Sequence, residues 1–254
     1  MKLFLIHHAG GSSISYQKWL KYLKTTENIM IELPGHFLRS DEPLINSFGE
    51  AVQEVSKQIT TRLDRDEKFM VFGHSMGALL AYYATHSLSK THQTTCLFLS
   101  GASSPDTMQN SITHISWIND DKAFISEVVK FGGMSEEMLN SKELIELSTP
   151  VLRADFSIMD SFIFQPSEPI GCRGYVLNGI DDVDTAKSAH RWSSFFKSGV
   201  TVRMFPGNHF YINDAFKDIC DFITKVAHSY CRNTSNEKAK DIAYAVLQPK
   251  LYCR

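Results

Sequence analysis

Apolar positions recur along this chain in two rhythms. Short runs that are apolar throughout, at 3–6, 29–33, 69–72, 95–100 and 174–177, read as buried strands. The run 200–205 joins them, although it alternates in its first half. Between the runs the spacing becomes helical. Tyr16, Trp19, Leu20 and Leu23 mark one amphipathic helix, and Phe48, Val52, Val55, Ile59 and Leu63 mark another, with Asn46 or Ser47 as its N-cap. Good helix formers at 78–84 follow the third strand. Fully apolar strands alternating with helices predict a parallel sheet covered on both faces. The rhythm breaks from about 103 to 170, where only helical pieces are read: 122–131, 135–147 and 150–162, with Gly132-Gly133 between the first two. A helical block between sheet strands predicts an insertion over the strand ends, a lid. The sheet then resumes, with a helix at about 185–196 and a closing helix at 213–228. The reading is thus one α/β domain over 1–230. A polar segment, 231–254, follows as a disordered tail or a weakly held extra helix.

Composition narrows the class. The chain has 254 residues, 43% hydrophobic and 21% charged, enough to bury a sizeable core. A net charge of -2 without a Lys/Arg cluster argues against a nucleic-acid surface. Cys96, Cys172, Cys220, Cys231 and Cys253 are odd in number and widely spaced, which fits neither a disulfide framework nor a zinc site. No apolar run reaches the roughly 18 residues of a membrane span, and the start is too short for a signal peptide. A monomer in the reducing cytoplasm, without membrane contact, is expected.

The chemistry centres on Gly73-His74-Ser75-Met76-Gly77, a G-x-S-x-G pentapeptide between a predicted strand and a predicted helix. That is the context of a nucleophile elbow. A serine hydroxyl is a weak nucleophile that must be lifted into the open within reach of a base. The tight turn leaves no room for a Cβ at Gly73 or Gly77, and the helix start supplies N–H groups where an oxyanion forms. Met76 is one expected donor. A second comes from a loop after an early strand, here His7-His8-Ala9-Gly10-Gly11, most simply Ala9. That loop matches neither G-x-G-x-x-G nor a P-loop. In this fold the triad runs serine, acid, histidine along the chain. His209 follows the last strand, and one of Asp181, Asp182 and Asp184 follows the strand before it. Spacing does not choose among the three aspartates. His7, His8 and His36 lie on loops that could line the site, whereas His74 inside the elbow reads as packing. Phe131, Met134, Met138, Phe156, Met159 and Phe162 could line an acyl pocket or form the core of the lid.

These residues resemble the type II thioesterases, α/β-hydrolases that serve polyketide, nonribosomal peptide and fatty acid synthases. The resemblance covers about 3–228. It rests on Ala9-Gly10-Gly11-Ser12, Leu33-Pro34-Gly35, the elbow, Phe131-Gly132-Gly133-Met134, Pro150-Val151-Leu152-Arg153-Ala154-Asp155, Gly179-Ile180-Asp181-Asp182 and Pro206-Gly207-Asn208-His209-Phe210. It implies Ser75 as nucleophile, His209 as base, Asp182 as acid, and Ala9 and Met76 as oxyanion donors. It also implies hydrolysis of acyl thioesters on the phosphopantetheine of an acyl or peptidyl carrier protein, with no cofactor or metal of the enzyme's own. The chain departs from the pattern at His7, His36 and Asn208, where the family usually has Pro, Arg and Gly; these changes could alter the mouth of the site. A general carboxylesterase or lipase is the alternative on the same fold. A non-catalytic binding protein would not need the full triad.

Overall fold

The computed structural model describes residues 1–108, 114–134 and 136–246. Among these, six strands form one sheet: β1 (Lys2–Ile6), β2 (Glu27–Ile31), β3 (Phe69–His74), β4 (Thr94–Ser100), β5 (Arg173–Gly179) and β6 (Val200–Phe205). Their order is β2-β1-β3-β4-β5-β6, and every neighbouring pair is parallel. The helices are α1 (Phe48–Thr60), α2 (Met76–Leu88), α3 (Pro105–Met108), α4 (Asp121–Val129), α5 (Glu136–Leu139), α6 (Lys142–Asp160), α7 (Val183–Ser188) and α8 (Phe216–Val246). This is the parallel sheet with helices expected from the strand and helix rhythm.

Alternation along each strand splits the core in two. Phe4, Ile6, Val71, Leu97, Leu99 and Val176 pack on one face, against residues of α1 and α2 and against Trp192. Leu3, Leu5, Met70, Phe72, Cys96, Phe98 and Leu177 pack on the other, against Tyr16, Trp19 and Leu23 and against Ile219 and Ile223 of α8. β3, buried along its whole length, therefore reads as a continuous apolar run, whereas the edge strand β6 keeps exposed positions such as Arg203. Ser47 caps α1, its hydroxyl accepting from the Glu50 N–H at 3.3 Å.

Three elements differ from the sequence expectation. Ser13–Lys21 is a 3-10 helix rather than an α-helix. Three residues per turn stacks Tyr16 directly over Trp19, and the Tyr16 hydroxyl donates to the Ile6 carbonyl at 2.8 Å. The two lid helices separated at about 148–149 are instead joined: α6 runs unbroken from Lys142 to Asp160 with Pro150 inside it. Proline removes the backbone donor that would reach the Glu146 carbonyl, while the neighbouring Thr149 hydroxyl donates to the Ile145 carbonyl at 2.7 Å. Finally, α8 is a single helix to Val246, longer than the 213–228 expected. Residues 109–113 and 135 of the lid and the end of the expected tail, 247–254 with Cys253, lie outside the described residues. No helix among the described residues is long and apolar enough to cross a membrane.

The lid has its own small core of Ile115, Phe124, Ile125, Val128 and Leu152, with Met134 and Phe156 packed on it. Arg153 knits it together. Its guanidinium lies 4.3 Å over the Phe124 ring, donates to the Ile118 carbonyl at 2.7 Å and pairs with Asp121 at 2.6 Å. Phe162 and Met159 belong to the main core instead. Arg153→Met should cost about 1.5–3 kcal/mol, the range for hydrogen bonds to a charged group. Hydrogen exchange should quicken in α4 and leave β3 and β4 protected; equal loosening of the sheet would mean that the lid is not a separate cooperative unit.

Candidate active site

The carboxyl ends of β1, β3, β5 and β6 converge on one edge of the sheet. β3 delivers Ser75 there. Ser75 has φ 54° and ψ -119°, a conformation that non-glycine residues rarely hold. The turn is fixed from three sides. A Cβ on Gly73 would collide with the Gly77 carbonyl, and one on Gly77 with the carbonyls of Ile6 and His7. The Ser75 N–H donates to the Ser100 carbonyl of β4 at 2.7 Å. The first turn of α2 therefore sits directly on the end of β1, beside the His8–Gly11 loop.

β5 and β6 bring the other two groups. A Cβ on Gly179 would strike the Gly207 and Asn208 carbonyls. The Ile180 N–H donates to Phe205 at 2.8 Å and the Asp181 N–H to Gly207 at 3.0 Å, which clamps the two loops together. His209 Nδ1–H then donates to Asp182 Oδ2 at 2.7 Å, and the Ser75 hydroxyl donates to His209 Nε2 at 3.0 Å. Burial pushes the Asp182 carboxyl up. The hydrogen bond and charge of His209, with bonds from Thr185, outweigh that and hold it below the ordinary carboxylate value. Asp181 and Asp184 are both exposed and make no contact with His209. The arrangement can take a proton from a serine hydroxyl and hold the resulting imidazolium against a carboxylate.

The remaining histidines of this edge do other things. His74 is buried, hydrogen-bonded through Nδ1 to the Ser100 hydroxyl at 2.9 Å, and Ser100 in turn meets the Tyr211 hydroxyl at 2.6 Å. Burial and the neighbouring His209 and His8 keep His74 well below the usual imidazole value, so it packs as a neutral ring. Burial also lowers His8, to about 3; its ring stands edge-on to Phe210 at 5.0 Å. His7 and His36 do not line the mouth. Both are buried, and they meet Asp155 of α6. Asn208 accepts the Phe210 N–H at 2.9 Å, which tightens the histidine loop.

Sequence reasoning did not find the contacts of the lid with this edge. Asp155 Oδ2 accepts the Gly10 N–H at 2.7 Å across 145 residues of chain. Gly133 lies against the Phe210 ring, where a Cβ would not fit without displacing it. The signals were the P-x-x-R-A-D and F-G-G-M motifs, but nothing in a linear pattern names the partner of Asp155. A separate groove of about 530 Å³ opens at the opposite edge of the sheet, lined by Lys68, Thr95, Cys172 and Arg173 among others. Its lining includes none of Ser75, Asp182 and His209.

Comparison with known proteins identifies the family. The model of the thioesterase domain family matches residues 1–226. Thioesterase PikA5 of Streptomyces venezuelae is 27% identical over 231 residues, 88% of this chain and 80% of that protein. The gramicidin S biosynthesis protein GrsT of Aneurinibacillus migulanus is 28% identical, covering 89% of this chain and 88% of its own. The human medium-chain S-acyl fatty acid synthase thioesterase is 27% identical, with 84% and 81% covered. Among solved structures, ClbQ from the colibactin NRPS/PKS pathway superposes with a TM-score of 0.83 at 26% identity, over 90% of this chain and 97% of that one. The chain belongs to the thioesterase domain family and is a hydrolase of thioesters built on the α/β-hydrolase fold.

Proposed function

We propose that this thioesterase releases acyl groups from the phosphopantetheine thiol of carrier proteins through a covalent intermediate on Ser75. The observation that carries the reading is the unbroken chain of hydrogen bonds from Asp182 through His209 to Ser75, set in a chain whose relatives include a gramicidin S biosynthesis protein and fatty acid synthase thioesterases.

The roles follow from the geometry. His209 Nε2 accepts the Ser75 proton as Oγ attacks the thioester carbonyl, and it later donates that proton to the departing thiol. Water then attacks the acyl-serine with the same base. Asp182 holds the imidazole in the Nδ1–H tautomer and stabilises the imidazolium. The Met76 and Ala9 N–H groups are assigned to the tetrahedral oxyanion, each worth roughly 3–4 kcal/mol in the barrier. The Gly10 N–H is already committed to Asp155, which favours Ala9 as the donor of that loop. No step requires a group from outside the chain other than water. The biological task that fits is editing: clearing stalled or misprimed acyl groups from a synthase, with release of a finished product as the second use of the same chemistry.

Two experiments test this. One acyl group is offered on a carrier protein's phosphopantetheine, on a small thiol and as a simple oxygen ester. Faster release from the carrier is the expected outcome; equal or better cleavage of the oxygen ester would make the protein a general esterase. Ser75→Ala should lower kcat by about a million-fold with the fold intact, and Asp182→Asn by about 10⁴-fold. If Asp181→Asn or Asp184→Asn produced the larger loss, Asp182 would not be the acid.

A further inference from the structure

Away from the triad, three side chains from distant parts of the sequence meet in the interior: His7 at the end of β1, His36 in the connection after β2, and Asp155 on α6. Their ligand atoms all lie within 4.8 Å of one another, and the three residues are 0%, 3% and 0% exposed. Their hydrogen bonding is incomplete in a specific way. His7 Nδ1 sits 2.9 Å from the His8 carbonyl and His36 Nδ1 sits 3.0 Å from the Pro34 carbonyl. A carbonyl only accepts, so each Nδ1 carries a proton, and in the neutral ring each Nε2 presents a lone pair. The two Nε2 atoms differ in what they meet. That of His36 lies 3.1 Å from Asp155 Oδ2, while His7 Nε2 and Asp155 Oδ1 have no hydrogen-bond partner. Glu32 Oε1, 3.9 Å from His7 Nε2, adds a second carboxylate.

We propose that His7, His36 and Asp155 bind one divalent transition-metal ion, zinc being the best fit, which clasps the lid to the sheet edge. A proton on His36 Nε2 would satisfy one contact and leave His7 Nε2 and Asp155 Oδ1 unpaired in the interior, at about 1–3 kcal/mol each. A cation engages both Nε2 lone pairs and one Asp155 oxygen at once and offsets the buried carboxylate charge. Imidazole rings held by a backbone carbonyl at Nδ1 and open at Nε2 are the second-shell arrangement of metal-binding histidines. Two imidazoles and a carboxylate suit zinc or cobalt far better than calcium or magnesium. Donors around a tetrahedral zinc at about 2.0–2.1 Å stand about 3.3 Å apart. The His36–Asp155 pair already meets that, and the widest pair has at most about 1.5 Å to close, within reach of side-chain rotation. The role is structural. Asp155 also holds the Gly10 N–H, so an ion at this point would fix α6 against the loop that carries Ala9.

The test uses the full chain, equilibrated with zinc and freed of excess. The expected result is about one zinc per chain by elemental analysis, a melting temperature that falls on chelation, and visible cobalt bands of a four-coordinate site without a thiolate charge-transfer band. His7→Gln and His36→Gln should each weaken zinc binding more than about 100-fold, and His92→Gln should not change it. If either variant fails to fold, ¹⁵N-histidine spectra of the wild type decide: zinc should move two ring Nε2 resonances and no others. The proposal is overturned if the wild type holds no stoichiometric zinc, if folded His7 and His36 variants retain it, or if the cobalt spectrum shows sulfur ligation. A protein that binds no metal but loses stability in His36→Gln would likewise overturn it, and would place a proton at His36 Nε2.

Discussion

The backbone of Ser75 is the constraint on which the rest of the structure depends. A residue at φ 54° and ψ -119° costs on the order of 1–3 kcal/mol and persists only where its surroundings over-determine it. Here they do. β3 is buried along its whole length, α2 buries most of its residues, and the two meet with no Cβ between them because Gly73 and Gly77 have none. The hydrogen bond from the Ser75 N–H to Ser100 ties the turn to β4 as well. The same close approach sets α2 on the end of β1. One strained residue thus fixes both where the hydroxyl points and how near the Ala9 loop comes to it.

Much of this was legible in the sequence for a physical reason. Strands covered on both faces must be apolar throughout, so 69–72 and 95–100 declared themselves, and their ends fell within two residues of β3 and β4. The glycines of the elbow declared the crowding. What failed was what depends on distant partners. Tyr16 and Trp19, three apart, suit an α-helix and a 3-10 helix equally; the Ile6 carbonyl beneath Tyr16 favours the tighter turn. Pro150 reads as a helix break, yet α6 continues through it into a half that buries Leu152, Ala154 and Ile158. Three aspartates within four residues cannot be told apart by spacing. In the fold, Asp182 turns inward to His209 while Asp181 and Asp184 face solvent.

The lid motifs acquire separate physical meanings. Arg153 works inside the lid, holding α4 and the turn before it to α6. Asp155, one helical step on, works outward, on Gly10 and His36. Gly133 gives way to Phe210, the neighbour of His209. Most of the lid's apolar side chains, Phe124, Phe156 and Met134 among them, are spent on its own core. Its attachment to the rest of the domain combines apolar packing of Ile158, Met159 and Phe162 on the main core with polar contacts, two of them made by Asp155.

Five histidines gather at this edge, and residue type alone does not say which is the base. Their partners do. His74 faces a serine hydroxyl that is itself bound to Tyr211, and its other nitrogen is buried without a partner. His8 is held near 3 by burial. His7 and His36 spend Nδ1 on carbonyls and turn Nε2 to a carboxylate or to nothing. His209 alone among these five has a carboxylate on Nδ1 and the elbow serine on Nε2. A carboxylate behind the ring fixes which nitrogen carries the proton and a hydroxyl in front meets the open nitrogen, the arrangement that the proposed role as base requires. At His36 a carbonyl stands behind the ring and a carboxylate in front, so the same side chain meets no hydroxyl from which to take a proton.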